Sequence, residues 1–301
     1  MVSSSARRIL RSRQRDAWDA LADVEVFIFA TEAELEAMEA ERIGVHRRGR
    51  KPDPELRRRV LGLIWMLTFG GMQWRIAGFL SGIPFTTLHS AFARWTRLGL
   101  WRRLGQRLAF DWRIACGDEA LPSAVVVDSP LSLSASGQLS GESSCRSAPS
   151  CFGGGFDGGK KINGVKVHLG VDKYGIPLAI DVSPANVHDT KGIVPVLREL
   201  SGKGFRGSAL GDLGYRGKRL AKAGKKLGIT VEPIARGRDG KFLPTGICWV
   251  VKRSFSWIAN YRRLNTIFER TKEHLVTFIE IAFISILSRR IKRLVIEEVS
   301  A

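Results

Sequence analysis

Two aspartates end apolar, strand-like runs of the sequence, where a carboxylate is costly without a partner or a metal. Asp128 follows three valines, and Asp212 ends the run that begins at Ser208. If the two strands are neighbours, both carboxylates emerge at one edge of a sheet although they lie 84 positions apart. Phosphoryl transfer by two metal ions needs converging oxygen ligands. The pair is therefore a candidate metal centre, with turn-forming or capping aspartates as the alternative explanation for each residue.

Other titratable residues are interpreted as structural. His188 and Asp189 are adjacent, but an aspartate directly before Thr190 is better explained as a helix N-cap. His168 alternates with apolar neighbours along a strand and is assigned to the sheet. The four cysteines form no C-x-x-C pair and have no histidine at zinc-finger spacing, which argues against a structural zinc site.

The composition favours a polyanionic partner. The 301 residues include 48 Lys and Arg against 29 Asp and Glu, so the net charge is +19 and the pI about 10.4, and nucleic acid is the leading candidate. A membrane would attract the same charge, but the longest apolar runs, residues 60–71 and 279–287, are too short to span a bilayer. No secretory signal follows the arginines of residues 1–15, so we expect a cytoplasmic protein.

The most basic part of the chain is residues 42–113, with fifteen basic and three acidic residues. It opens with a basic arm that contains Arg50 and Lys51, and an apolar helix that includes residues 60–68 follows. A second helix is predicted over residues 74–80 and a chain break over 81–84, after which Thr86 or Thr87 can cap a third helix. The apolar face of that third helix consists of Leu88, Phe92 and Trp95, and its outer face of Thr87, Ser90 and Arg94.

This layout of helix, short glycine-containing turn and helix is that of a helix-turn-helix, whose second helix could enter a major groove. An ordinary helical bundle with a solvated basic face fits the pattern equally well. The local charge favours DNA.

The second half of the chain predicts an α/β arrangement, a mixed sheet with helices packed on it. Residues 124–127 form a short strand, residues 129–159 a Ser- and Gly-rich loop, and residues 165–171 and 176–182 a hairpin. Helices at 190–200 and 218–227 then alternate with strands at 207–210 and 229–234, before a long helical region from about Trp249.

Several passages, in this order, resemble the transposases of the IS5 group within the IS4-like superfamily. The N-terminal ones are Gly49-Arg50-Lys51-Pro52, Gln73-Trp74-Arg75, Thr86-Thr87, Arg94-Trp95 and Leu100-Trp101-Arg102-Arg103-Leu104. Those further on are Gly155-Phe156-Asp157-Gly158-Gly159-Lys160-Lys161, Lys166-x-His168-Leu169-x-Val171-Asp172-x-x-Gly175 and Val187-His188-Asp189. The last are Asp212-x-Gly214-Tyr215, Trp249-Val250-Val251-x-Arg253-x-Phe255-x-Trp257 and Arg262-Arg263-Leu264. The match spans roughly residues 47 to 293.

The resemblance implies a ribonuclease-H-like catalytic domain over residues 116–295, preceded by a helical DNA-binding region over 42–115 and an unmatched extension over 1–41. It implies a DDE triad that binds two Mg²⁺ or Mn²⁺ ions, cuts double-stranded DNA at the terminal repeats of an insertion sequence and joins the freed 3′-hydroxyl to a target. A bacterial, nucleoid-associated homo-oligomer without a membrane is the expected setting.

By position, Asp128 matches the first acid of the triad and Asp212 the second, while the third acid should stand between Val251 and Arg253. Lys252 occupies that position. An ammonium there repels a divalent cation instead of ligating it. The sequence thus leaves two interpretations open, a transposase with impaired cleavage and an inactive DNA-binding remnant or inhibitor of transposition.

The residues predicted to contact DNA are drawn from four parts of the chain. They are Arg50 and Lys51 of the basic arm, Thr87, Ser90 and Arg94 of the third helix, Lys160 and Lys161 after the glycine-rich loop, and Arg253, Arg262 and Arg263 beyond Lys252. Phosphate contacts dominate nonspecific affinity, so such basic residues suit a DNA backbone.

Overall fold

The computed structural model describes residues 23–43, 53–134, 155–158, 161–234 and 246–300. Its helices are α1 (residues 23–40), α2 (Pro54–Gly70), α3 (Trp74–Ser81), α4 (Phe85–Arg97), α5 (Leu100–Ala115), α6 (Asp189–Gly192), α7 (Val194–Gly202), α8 (Lys218–Lys226), α9 (Gly246–Ala259) and α10 (Lys272–Ser300). Its strands are β1 (Ala124–Ser134), β2 (Gly155–Asp157), β3 (Ile162–Val171), β4 (Pro177–Pro184), β5 (Ser208–Gly211) and β6 (Thr230–Pro233). Short 3₁₀ turns cover Leu213–Tyr215 and Arg262–Leu264.

The six strands form one mixed sheet. Strand β1 lies in its centre, antiparallel to β3 and parallel to β5, which in turn pairs in parallel with β6. Strands β2 and β4 both pair antiparallel with β3. This antiparallel meander followed by parallel strands, with helices between and around them, is the expected ribonuclease-H-like fold, and the helical region that precedes it is also confirmed.

Strand β1 is longer than predicted, which corrects the assignment of residues 129–159 to a loop. The strand continues to Ser134, and β2 forms within the same stretch. Its pairing with β3 is irregular between Asp128 and Leu131, because Ser129 and Pro130 together face one residue of β3. Proline cannot donate a ladder hydrogen bond, so a bulge is the form in which a central strand tolerates it. Residues 135–154, the rest of the predicted loop, lie outside the described residues.

The helices before the sheet follow the predicted pattern of apolar positions. Asp53 caps α2 by accepting hydrogen bonds from the backbone N–H groups of Glu55 and Leu56, at 3.0 and 3.4 Å. Helices α3 and α4 meet at 120° around a turn that contains Gly82 in the left-handed conformation, φ 68°, within the range for a helix-turn-helix. Helix α4 begins at Phe85 after Pro84, so neither Thr86 nor Thr87 is its N-cap.

One core joins the helical region to the sheet through α10. The indole N–H of Trp65 on α2 donates to Ser285 of α10 at 2.9 Å, and Phe92 of α4 stacks on Phe278 at 4.7 Å between ring centroids. The same α10 packs on α5 and on β4. The predicted long helical region from Trp249 is therefore two helices, α9 and α10, and the second one joins the two halves of the chain.

No single helix among the described residues has both the length and the apolar character needed to cross a membrane. Helices α3 and α4 meet those criteria only when taken together, and they are bent by 120° at their junction.

Candidate active site

Asp128 and Asp212 lie side by side where the parallel pairing of β1 with β5 ends. Val126 of β1 pairs with Leu210 of β5 in parallel register, so each aspartate stands two residues further along its own strand direction. Each carboxylate also fixes its own backbone. Asp128 accepts from the N–H of Ser129 at 2.7 Å, and Asp212 from the N–H of Gly214 at 2.8 Å. The structure thus brings together the two acids that the sequence singled out.

The electrostatic setting of Asp128 reflects this proximity. The pKa of its carboxyl is raised to about 6, mainly by burial and also by the neighbouring charge of Asp212, while the Ser129 N–H lowers it. The Lys252 ammonium also lowers the pKa of Asp128. The carboxyl therefore ionises less readily than usual, and a nearby cation would favour its ionised form. Such a perturbed acid is a candidate for a site that binds a positively charged ligand.

Tyr215 is buried near these acids, and the charges of both Asp128 and Asp212 act on its hydroxyl. Its side chain is buried, its hydroxyl donates to the Ser129 hydroxyl at 3.3 Å, and burial raises its pKa. The ring packs against Gly211, where a Cβ would come within 2.7 Å of it. Tyr215 thus packs against the end of β5 and contacts the side chain of the residue that follows Asp128. The motif Asp212-x-Gly214-Tyr215 contained this residue, but sequence reasoning assigned it no role.

Lys252 lies on α9, the helix that packs against β1 and β3. Val251 and Phe255 face the core, whereas Lys252 is exposed. The ammonium lies close enough to the aspartates to lower the pKa of Asp128. Because α9 packs against β1 and β3, Lys252 lies in the same part of the structure as the two carboxylates.

Two acids elsewhere in the second half of the chain, Glu232 and Glu269, would have to reach the aspartates to replace the missing acid, but both have other partners. Glu269 is buried and accepts from Arg263 at 2.8 Å and from the N–H of Phe268 at 3.1 Å. Glu232 pairs across the sheet with Leu210 and accepts from the Ser208 hydroxyl at 2.7 Å. Since Ser208 begins β5 and Asp212 follows its end, the Glu232 carboxylate is turned away from the aspartates.

Asp189 is a neighbour of the site that sequence reasoning missed. The N-cap of α6 is His188, whose ring Nδ1 accepts from the N–H of Thr190 at 3.3 Å, so the assignment of Asp189 as the cap is corrected. The Asp189 carboxylate pairs with Lys166 at 3.2 Å, and its charge raises the pKa of Asp128. The signal that could have found it was its place in the motif Val187-His188-Asp189.

The donor set does not fit a complete two-ion centre. Within the ranges that the structure describes, no cluster of three or more His, Cys, Asp and Glu side chains is arranged to hold a metal ion. The carboxylates of Asp128 and Asp212 suit a divalent cation, but the Lys252 ammonium carries three protons and no lone pair to donate. A carboxylate at position 252 would supply the missing oxygen ligand.

The residues predicted to contact DNA differ in exposure. Thr87 and Ser90 are exposed on α4 and Arg94 is partly buried there, while Lys161 is exposed before β3 with a left-handed backbone, φ 54°. Arg262 is exposed on the 3₁₀ turn after α9. Arg253 lies between two indole rings, 5.0 Å from the centroids of both Trp249 and Trp257. Arg50, Lys51 and Lys160 lie outside the described residues.

Arg263 is a different case because its guanidinium is inside the protein. Only 4% of the residue is exposed, and it donates to Glu269 at 2.8 Å and to the carbonyl of Met72 at 2.9 Å. Phe278 covers its planar face at 4.9 Å from the ring centroid. Arg263 and Glu269 thus form a buried structural ion pair, and the prediction that Arg263 contacts DNA is corrected, because its guanidinium is not accessible to a DNA phosphate.

Two comparisons with known proteins bear on this geometry. Residues 122–241 match the family model described as the transposase DDE domain, a stretch that contains Asp128 and Asp212 and ends before Lys252. A protein of Burkholderia cepacia, named as a putative transposase for insertion sequence element IS402, is 33% identical over 122 residues, which cover 36% of this chain and 54% of that protein. The chain thus matches about half the length of this curated relative. No solved structure matches the chain.

The family match lies over the mixed sheet, the part of the chain that brings the two aspartates together. The family model and the relative agree on the same class of protein. Over this part of its length, the chain is therefore similar to DDE transposases.

Proposed function

We propose that this protein binds the ends of an insertion sequence as a transposase of the IS5 group, and that Lys252 leaves its metal-dependent cleavage and strand transfer weak. The observation that carries the proposal is the pair of carboxylates, Asp128 and Asp212, which lie where the parallel pairing of β1 with β5 ends, with Lys252 at the position expected for the third acid. Double-stranded DNA is the partner, first the terminal repeats and then the target. A homo-oligomer on DNA in the bacterial nucleoid, with Mg²⁺ or Mn²⁺ as the ions, completes the proposal.

The magnitude of the Lys252 effect follows from its charge. Two like charges about 4 Å apart repel by roughly 1 kcal/mol in water and about 4 kcal/mol at a protein-like dielectric. A factor of ten in rate corresponds to about 1.4 kcal/mol. Because Lys252 is exposed, the value in water is the relevant one, and we expect the repulsion and the missing oxygen ligand together to reduce turnover by at least about tenfold.

The chain's own residues still bind and orient DNA in this proposal. Thr87, Ser90 and Arg94 present polar and charged groups along α4, the second helix of the helix-turn-helix-like pair. Arg262 lies on the 3₁₀ turn after α9, the helix that carries Lys252. Its exposed guanidinium can bind the phosphates of the reacting strand. The phosphate to be cleaved lies next to Asp128 and Asp212, with the buried side chain of Tyr215 nearby.

A second candidate function is inhibition of transposition. A chain with this fold that binds terminal repeats without cutting them would occupy element ends or enter mixed oligomers. The exposed ammonium of Lys252 near Asp128 favours this candidate, because it opposes the binding of a divalent cation at the site. The two functions share DNA-end binding and differ only in the rate of cleavage.

The test is strand nicking of a duplex that carries the terminal repeat, with Mg²⁺ or Mn²⁺ varied. We expect little or no cleavage by the wild-type protein and at least about tenfold more by Lys252→Glu, since the substitution changes the local charge by two units and supplies a ligand. Lys252→Gln is the matched control, because it removes the positive charge and adds no carboxylate. It should recover less activity than Lys252→Glu.

Addition of Asp128→Asn to the Lys252→Glu protein should abolish the restored activity. Robust cleavage by the wild-type protein that depends on Asp128 and Asp212 would contradict the proposed impairment. In that event Asp189→Asn is the next variant, because Asp189 is a further carboxylate whose charge acts on Asp128. Failure of the wild-type protein to bind the terminal-repeat duplex in a gel-shift assay would contradict both candidate functions.

A further inference from the structure

An arginine face on α2 and α5 is covered by the acidic helix α1. The face consists of Arg57, Arg58, Arg103 and Arg107, and each of these side chains is paired with a carboxylate of residues 25–41. The pairs are Arg57–Glu39 at 3.1 Å, Arg58–Glu25 and Arg58–Glu32 at 2.7 Å, Arg103–Glu34 at 2.5 Å, Arg107–Glu34 at 3.0 Å, and Arg103–Glu41. The α1 segment thus provides an anion for every arginine of the face.

Helix α1 is held in place by its apolar side. Phe27, Ile28, Leu35 and Met38 are at most 6% exposed, and Phe27 stacks on Trp101 of α5 with 6.1 Å between ring centroids. Partly exposed ion pairs contribute little to stability, whereas four buried large apolar side chains contribute strongly. The apolar contacts therefore fix α1, and the exposed carboxylates, such as Glu25 and Glu41, are not needed to hold it in place.

The charges of α1 are one-sided. Residues 23–41 contain seven acidic residues and no basic one, next to the most basic part of the chain. Without α1, Arg58, Arg103 and Arg107 would present three guanidinium groups on one face, and even in the folded protein their side chains remain 36–40% exposed. Guanidinium groups in such a cluster bind phosphate oxygens in the same fork geometry as carboxylates.

We propose that α1 is an internal shield, whose carboxylates occupy a phosphate-binding arginine face and so confine DNA to the other basic surfaces of the protein. The inference rests on the proposed function, because it assumes that this protein binds duplex DNA. The partner excluded from the face is the DNA backbone, which would bind there without regard to sequence. The shield thus lowers nonspecific affinity while the α4 surface stays available.

The test neutralises two exposed carboxylates of the shield. Glu25 and Glu41 are 66% and 50% exposed at the side chain and pair with Arg58 and Arg103 respectively, so Glu25→Gln/Glu41→Gln leaves the apolar contacts of α1 intact. We expect this variant to bind a random-sequence duplex at least about fivefold more tightly at low salt. Its plot of log affinity against log salt should be steeper by about one to two, since each additional phosphate that the protein neutralises adds about one to the slope.

The matched control is Glu36→Gln/Glu119→Gln. Both residues are exposed, neither forms an ion pair with another residue in the described part of the chain, and the double substitution changes the net charge by the same amount. A smaller increase in affinity for the control supports the shield. An equal increase shows that net charge alone acts and overturns it.

The failure of the shield can be distinguished from failure of the proposed function. A wild-type protein that binds duplex DNA, with a Glu25→Gln/Glu41→Gln variant that binds no more tightly, contradicts the shield alone. Absence of duplex binding by the wild-type protein and by both variants contradicts the proposed function. Circular dichroism melting of each variant tests whether the fold is retained. Glu32→Gln removes the other carboxylate that pairs with Arg58, so it should also increase the affinity for random-sequence duplex.

Discussion

Glu269 and Asp128 are both largely withdrawn from water, but in opposite surroundings. Glu269, at the junction between the helical region and the sheet, receives the Arg263 guanidinium and a backbone N–H. Asp128, at the edge of the sheet, receives one backbone N–H, and the burial that surrounds it raises its pKa to about 6. A second negative charge, Asp212, stands beside it.

The difference distinguishes a carboxylate that stabilises the fold, Glu269, from one whose burial lowers the stability of the fold, Asp128. A buried charge needs a counter-charge or several hydrogen bonds, and Glu269 has both. Asp128 has neither in full, since its carboxylate accepts from one backbone N–H, and Lys252, whose charge lowers its pKa, is exposed. An acid held in such a setting indicates a functional position, because the fold alone gains nothing from it.

The largest expected effect comes from removal of the buried Arg263 guanidinium, which pairs with Glu269. Arg263→Met should lower the free energy of unfolding by about 3–5 kcal/mol, because Glu269 is left as an uncompensated buried charge. Urea denaturation measures the loss. Arg262→Met is the control on the exposed neighbour and should change stability by less than about 0.5 kcal/mol. Losses of similar size for the two variants would contradict the assignment of Arg263 to the interior.

A smaller effect of opposite sign is expected at the sheet edge. The pKa of Asp128 is raised from 3.8 to about 6 in the folded protein, so the folded state binds this proton more tightly than the unfolded chain does. Its contribution to stability is therefore lost as the pH rises through that window. Asp128→Asn, which keeps the acceptor for the Ser129 N–H, should raise the free energy of unfolding by about 1–3 kcal/mol at pH 8.

The stabilisation by Asp128→Asn should largely disappear at about pH 4, because the folded wild-type carboxyl is then protonated and carries no buried charge. Chemical denaturation at the two pH values gives the comparison. A variant less stable than the wild type at pH 8 would mean that the Asp128 carboxylate has a partner in the fold after all.

The smallest effect concerns the link between Lys252 and Asp128. Removal of the ammonium in Lys252→Met disfavours the ionised carboxyl, so the pKa of Asp128 should rise, by less than about one pH unit because Lys252 is exposed. A ¹³C NMR titration of the Asp128 carboxyl follows the change. Lys161→Met, an exposed lysine on the turn before β3, is the control and should leave that titration unaltered.

Local patterns were enough to predict most of the elements. The spacing of Leu88, Phe92 and Trp95 identified the buried face of α4, and all three are at most 4% exposed. The predicted hairpin turn after Asp172 is also present. The Asp172 carboxylate accepts from the N–H groups of Tyr174 and Ile176, and Gly175 adopts φ 78°. The continuation of β1 beyond Asp128 was not predicted, because the bulge at Pro130 depends on pairing with β3.

The amino-acid sequence by itself determined the charge of the protein, the order of its elements, the two aspartates and the lysine that stands in the third position. These are properties of residue type and short-range spacing. The tertiary structure decided which charges have partners: it placed Arg263 inside on Glu269, Asp189 on Lys166 near the aspartates, and the carboxylates of α1 on the arginine face. Ion pairing acts over a few ångströms between residues that lie far apart in the chain, so only the folded arrangement distinguishes a charge that binds DNA from one that is already neutralised.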